Sequence, residues 1–392
     1  MGSMDAQASP CNNTSDPLCY EEASGSLAVI IIPSLLAMST VVVLTGLLCA
    51  LGRRRKASPQ RPHLPTCYTN HGQECVSISP AAPWEIQEDW ALEGLEFCET
   101  GRYGPVCRGT LRREDVTTAV LVETLRGCYN PTMAEEFVDW ILFHGAVCKH
   151  QNVVRMLCCQ TQRIPMYIVL ESCIPGNLLQ YLWSLRNRDV ESLDSLQHFS
   201  ERSVYLVAKQ VAAGLDYLLS EHRLVHGYVA ARNVLIGSGL SVKVSGLGLA
   251  FEARQCQTGK QANWRAADVP VKWQSPEQMM KQPTTDRSDV FSFGIVLYEL
   301  ITLGSPPYPD LEAQCVLTQL HKSYRMKRPN NCGVPLYDLM KYCWMWNFKD
   351  RPTFSAIIKL LESYMYLADN KDLCILEDID ISDYSRRAGV RL

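Results

Sequence analysis

From Leu27 to Leu51 no charged side chain occurs. At about 1.5 Å per residue a helix of that length extends about 37 Å, more than the roughly 30 Å hydrocarbon core of a bilayer. Pro33 suits the first turn, where a missing N–H costs little. The run is too long for a signal-peptide core and no basic stretch precedes it, so it predicts a transmembrane helix over 27–51. From about Trp90 the pattern changes. Leu95–Phe97, Val106–Leu111 and Ala119–Leu125 read as strands separated by turn signals. A helical period over Ala134–Val147 follows, then two strands at Val153–Cys158 and Met166–Glu171. Beyond Gly176 the period is mostly helical, over Leu178–Trp183, Ser203–Leu219, Asp286–Leu303, Leu311–His321, Leu336–Trp344 and Phe354–Tyr364. The expected fold is α+β: one transmembrane helix, then a two-lobed domain with a small sheet lobe and a larger helical lobe.

Charge sets the expected orientation. Asp5, Asp16, Glu21 and Glu22 precede the apolar run without any Lys or Arg, whereas Arg53, Arg54, Arg55, Lys56 and Arg61 follow it. Basic residues stay on the cytoplasmic side, so a single-pass protein with its C-terminal domain in the cytoplasm is expected. Residues 1–26 then lie outside or in a lumen, too short for a ligand-binding domain, with overlapping glycosylation triplets at Asn12 and Asn13. Residues 52–89 read as a basic, then proline-rich juxtamembrane linker, carrying Pro59, Pro62, Pro65, Pro80 and Pro83. The small lobe is expected over 90–172, the large lobe over 173–366, and an acidic flexible tail over 367–392. Within that tail Tyr384 is either a phosphosite for other kinases or an inert solvated residue. An apolar content of 47% and a charged content of 20% fit a globular chain. The net charge of −3 gives no reason to expect nucleic acid. The 17 cysteines lack paired CxxC units, which argues against structural zinc, and adjacent Cys158 and Cys159 read as core thiols.

Residues His226–Asn233 read HGYVAARN. Further markers follow in order: Pro270-Val-Lys-Trp-Gln-Ser-Pro-Glu277, Val290-Phe-Ser-Phe-Gly294 with Tyr298-Glu299, Thr302-Leu-Gly304, Pro306-Pro-Tyr308, Cys343-Trp344 and Asp350-Arg-Pro352. Together with Glu99-Thr-Gly101-Arg-Tyr-Gly104-Pro-Val106, which looks like a glycine-rich loop, they resemble the protein-kinase family, of tyrosine-kinase type, over about residues 90–366. The resemblance implies a two-lobed kinase-like fold and a pairing of Glu277 with Arg351. It also implies a nucleotide cleft made by Gly101, Gly104, Val106, Leu121, Glu171, Cys173 and Leu235, with Leu170 at its gate.

The positions that would carry phosphoryl transfer depart from that family. Tyr228 stands where the resemblance implies an aspartate base, and a phenol with a pKa near 10 is protonated at neutral pH. Glu123 stands where a lysine would clamp the phosphates. Gly246, in Gly246-Leu-Gly248, replaces a metal-binding aspartate. Arg232 and Asn233 are retained, but one amide oxygen is a poor magnesium site. The helix position that would pair with the clamp lysine falls on Trp140 or Ile141, so a hydrophobic contact is expected there. Glu136 and Asp139 lie nearby but make no ion pair with Glu123. Residues 251–269 contain no tyrosine, which removes a tyrosine-autophosphorylation switch. The expected function is that of a membrane-tethered tyrosine-kinase-like pseudokinase. It would serve as a signalling scaffold or allosteric partner for other proteins, another kinase among them. The alternative is a weakly active tyrosine or dual-specificity kinase transferring phosphate from ATP. No metal and no resident cofactor are expected, and any ATP binding is expected to depend little on magnesium.

Overall fold

The computed structural model describes residues 81–127, 131–186, 199–257, 269–373 and 380–390, all within one compact unit. The helix expected over 27–51, Asn12, Asn13 and most of the linker lie outside the described residues. Among the described residues no helix is long and apolar enough to cross a membrane.

The small lobe is a five-stranded antiparallel sheet: β1 (Ala91–Thr100), β2 (Pro105–Arg113), β3 (Val116–Thr124), β4 (Met156–Gln160) and β5 (Tyr167–Glu171), ordered β1-β2-β3-β5-β4. Strand β3 is rich in β-branched residues, and its alternation decides which side chains meet the cleft. Val120 and Val122 join Leu111, Cys158 and Val169 in a small core on one face. Leu121 and Glu123 therefore point to the other. Helix α1 (Pro131–Val147) connects β3 to β4 and buries Phe137 and Ile141 in the main core. The strand expected from Val153 starts only at Met156, because Val154 donates its N–H to Val244 of the large lobe at 2.9 Å.

The linker also ends earlier than expected. Ala81 is fully buried, Ala82–Trp84 form a 3₁₀ turn, and the Ile86 N–H donates to Cys159 O at 2.8 Å. The Trp84 ring lies so close to Gly145 that a Cβ there would fall 2.5 Å from it. Two apolar residues among polar neighbours dock on the lobe without forming a period long enough to read.

The large lobe follows with β6 (Gly176–Asn177), α2 (Leu178–Arg186), α3 (Glu201–His222), β7 (Val234–Ile236), β8 (Val242–Val244), α4 (Gly248–Gln257), α5 (Pro276–Met279), α6 (Asp286–Ile301), α7 (Val316–His321), α8 (Val334–Cys343), α9 (Phe354–Tyr364) and α10 (Ile381–Ala388). Helix α6 is buried on every side from Ser288 to Ile301, as its nearly unbroken apolar run requires. The helix expected over 311–321 is α-helical only in α7, preceded by a 3₁₀ turn at Ala313–Cys315.

The tail is not flexible where it is described. Leu373 N–H donates to Phe199 O at 3.0 Å, and residues 381–388 fold as α10. Tyr384 is 4% exposed and Ala388 is fully buried, so Tyr384 is not solvated in this arrangement. Tyr384 and Ala388, four residues apart, place one small apolar stripe on an otherwise charged helix.

Glu277 and Arg351 form the expected pair, Arg351 Nη1 and Nη2 donating to the two carboxylate oxygens at 2.6 and 2.9 Å. Ser288 Oγ donates to the same carboxylate at 2.9 Å, and Arg351 also donates to Met345 O and Arg287 O. Burial pushes the Glu277 pKa up, but the Arg351 hydrogen bonds and charge outweigh it and hold the carboxyl below its usual range. Removing one partner strands a buried charge. Glu277→Ala is expected to lower stability by about 3–5 kcal/mol, read from the midpoint of urea unfolding. The double variant Glu277→Leu/Arg351→Met should lose markedly less than the sum of the single changes.

Candidate functional site

The loop carrying Tyr228 is fixed from below by α6. Asp289 accepts from the N–H groups of His226 and Gly227 at 2.7 and 2.9 Å, and Glu299 accepts from Ala231 N–H at 2.9 Å. His226 Nε2 donates to Ser245 O at 2.8 Å, which leaves Nδ1 to accept from Tyr228 N–H at 3.2 Å. Burial lowers the His226 pKa to about 4, although the bond to Ser245 opposes it, so the ring is neutral at pH 7. The loop thus keeps its geometry while its reactive position holds a phenol. Burial raises the Tyr228 pKa further, against the charge of Arg232. Arg232 Nη1 reaches the Tyr228 oxygen only at 3.5 Å.

Asn233 turns its Nδ2 to Tyr228 O at 2.9 Å, and its own carbonyl accepts from Ser245 N–H and Oγ at 2.9 and 3.0 Å. Gly246 has φ +75°, and a Cβ there would lie 2.7 Å from Asn233 Cγ and 2.8 Å from Oδ1. The Asn233 amide therefore fills the space that a carboxylate side chain at 246 would need. Among the described residues no group of three or more His, Cys, Asp or Glu side chains could hold a metal ion.

The β1–β2 loop closes on the cleft from above. Gly101 N–H donates to Gly104 O at 2.7 Å, and Tyr103 N–H donates to Glu123 Oε1 at 2.9 Å. A Cβ on Gly101 would fall 2.6 Å from that same oxygen. The backbone donors of such loops normally face phosphates; here one faces the protein's own carboxylate. Burial raises the Glu123 pKa, while the Tyr103 N–H and the nearby Trp140 indole, outside hydrogen-bond geometry, pull it back.

Arg102 reaches across the cleft, donating to Glu136 of α1 at 3.1 Å and to Glu252 of α4 at 2.6 Å. Its guanidinium also faces the Phe251 ring at 5.4 Å. Tyr103 Oη donates to Glu136 at 3.1 Å, and its ring packs on Phe137 at 5.2 Å. Trp140 meets Phe251 edge-on at 5.1 Å, the apolar contact expected at that helix position, whereas Ile141 lies in the core. Arg102, Tyr103 and Glu252 went unnoticed in the sequence. The available signal was an Arg-Tyr pair between two loop glycines, facing a carboxylate that lacked a partner.

The remaining residues named for the cleft lie on β2, β3, β5, β7 and the connection after β5. Val106 pairs with Glu123 across β2–β3, and Leu121 pairs with Leu170 across β3–β5. Leu235 lies on β7 opposite Asn177 and Lys243. The Glu171 carboxylate accepts from Arg155 N–H at 2.7 Å and pairs with Lys243 Nζ at 3.0 Å. Cys173 follows on the same connection, half-buried, with its thiol pKa raised by burial and by Glu171.

Restoring the missing acid does not restore its site. Gly246→Asp places a Cβ against Asn233 and a side chain at positive φ. It is expected to cost about 1–3 kcal/mol, measured as a lower melting temperature, without creating a magnesium-dependent thermal shift.

A family model for protein tyrosine and serine/threonine kinases matches residues 94–361. The tyrosine-protein kinase STYK1 of Mus musculus is 32% identical over 407 residues, covering 96% of this chain and 94% of its own length. STYK1 of Homo sapiens is also 32% identical, covering 96% of this chain and 95% of its own. The tyrosine-protein kinase Abl of Drosophila melanogaster is 34% identical over 309 residues, covering 76% of this chain but 18% of its own length. The ordered markers, the buried Glu277–Arg351 pair and these matches converge: this chain belongs to the protein tyrosine and serine/threonine kinase family.

Proposed function

We propose that this chain is a membrane-tethered pseudokinase of tyrosine-kinase type, which signals by presenting its folded lobes to other proteins, another kinase among them. The observation that carries this reading is the Glu123 carboxylate seated beneath the glycine loop, accepting from Tyr103 N–H at 2.9 Å. A nucleotide phosphate would meet a carboxylate there instead of an ammonium. Two unit charges about 4 Å apart repel by about 1–4 kcal/mol at effective dielectrics of about 80 to 20. Magnesium does not fit the donors either. It favours anionic oxygens, and the residues at its place are an amide and a glycine. Losing a positioned base costs a further factor of about 10²–10⁴ in rate.

Membrane attachment rests on the uncharged run Leu27–Leu51 and the basic residues after it. The cytoplasmic domain then faces soluble partners and the inner leaflet. The rival reading, a weakly active tyrosine or dual-specificity kinase, draws on the retained Asn233 and Arg232 and on the similarity to tyrosine-protein kinases.

Incubating the full chain in lipid nanodiscs with labelled ATP and magnesium separates the two. Incorporation should be no greater than with Asn233→Ala, and label that disappears in Asn233→Ala would establish the rival. Magnesium-ATP is expected to leave the melting temperature unchanged, since specific binding would raise it. For the tether, alkaline carbonate washing should leave the chain in the membrane pellet; release into the supernatant would remove that part of the reading.

A further inference from the structure

The C-terminal helix α10 lies against the elements that frame the reactive loop. The Tyr384 ring packs edge-on against Trp183 of α2 at 4.8 Å, and Trp183 is itself fixed by its Nε1–H to Gly304 O at 3.0 Å. Lys272, in the Pro270–Glu277 run, donates through Nζ to Arg387 O at 2.6 Å and to Tyr308 O at 2.9 Å. A Cβ at Gly389 would rest 3.4 Å from the Ala313 methyl. Ala388 is fully buried. Burial raises the Tyr384 pKa, with Glu299 adding to the shift and Arg232 opposing it.

The helix is built locally. Asp380 caps its start, the side chain accepting from Ser382 N–H at 2.9 Å. Asp383 pairs with Arg386 on the exposed face, and Gly389 at φ +68° closes the other end. None of these contacts requires the large lobe. The docked face, by contrast, buries Tyr384 Oη, Ser385 Oγ and Glu299 Oε1 without a hydrogen-bond partner among the described residues. Buried polar atoms left unpaired work against the apolar contacts that seat the helix.

We propose that α10 is a detachable plug in the substrate-peptide groove of its own lobe, and that Tyr384 becomes a phosphorylation site for a partner tyrosine kinase only when the plug is released. The partner would transfer the γ-phosphoryl group of ATP. The phenol oxygen forms the new bond to phosphorus, the bond to the bridging oxygen of ADP breaks, and the phenol proton passes to the partner's base. The phosphate adds nearly two negative charges beside buried Glu299, so the modified helix cannot reseat. This inference stands whether or not the cleft of this chain transfers phosphate itself.

The test uses the full chain in nanodiscs with an added active tyrosine-kinase catalytic domain and magnesium-ATP. Phosphate at Tyr384 is followed by mass spectrometry in the wild type, Ala388→Glu and Ala388→Arg. Both variants place a charge at a buried position of α10 without altering the groove, so both should be phosphorylated at least tenfold faster. A synthetic peptide of residues 380–392 should bind both variants at least tenfold more tightly than the wild type, and its Tyr384-phosphorylated form should bind neither. Equal phosphorylation rates, no phosphate in any protein, or no binding of the unmodified peptide would each overturn the proposal. So would loss of cooperative melting in both variants, since α10 would then be a part of the folded lobe and not a plug.

Discussion

Two carboxylates on the buried stretch of α6 hold this structure in its working arrangement. Asp289 and Glu299 project from α6 and accept the backbone N–H groups of His226, Gly227 and Ala231. Burial drives both carboxyl pKa values up to about 7, against the pull of those donors. Such a cost is tolerated when the donors are fixed backbone groups with no other partner. The loop from 226 to 233 is therefore positioned from the core and not by whatever occupies the cleft. Glu299 does a second task, accepting from the Trp273 indole at 3.1 Å and so tying the end of the activation segment to the same helix.

That division explains how the architecture and the chemistry separate. The contacts that build the large lobe are buried: Glu277 with Arg351, α6 with the loop, and Ser292 Oγ with Trp273 O. None involves Tyr228, Glu123 or Gly246. The cleft has acquired contacts of its own instead. Arg102 links the glycine loop to α1 and α4, Tyr103 bonds to Glu136, and the Trp140–Phe251 contact closes the inner side. A lysine–glutamate pair between strand and helix would join β3 to α1 within the small lobe by one ion pair. Here an arginine from the loop bridges two acids, and aromatic packing supplies the rest. Partly buried ion pairs of this kind fix geometry as much as they add stability.

Local pattern made the order of elements legible. The strand expected over Ala119–Leu125 is β3, with Val120 and Val122 in the small-lobe core. The apolar run of α6, the Glu277–Arg351 pair and the tyrosine at 228 were likewise readable, because each is fixed by residue identity at a known spacing. The misreadings occurred where a short segment meets a distant surface. Trp84 and Ile86 dock on the small lobe, and Tyr384 and Ala388 dock on the large one. A stripe of two apolar residues carries no period, and acidic neighbours made the tail look solvated.

Residue identity alone determined which charges are missing from the cleft, since no fold can turn Glu123 into a cation or Gly246 into a carboxylate. Tertiary structure decided what took their place: the Tyr103 N–H bonded to Glu123, the Asn233 amide packed against Gly246, Arg102 divided between Glu136 and Glu252, and a tail tyrosine packed on Trp183. The physical reason is range. A side-chain charge belongs to one residue, whereas these contacts join groups far apart in the chain, and only packing brings them together.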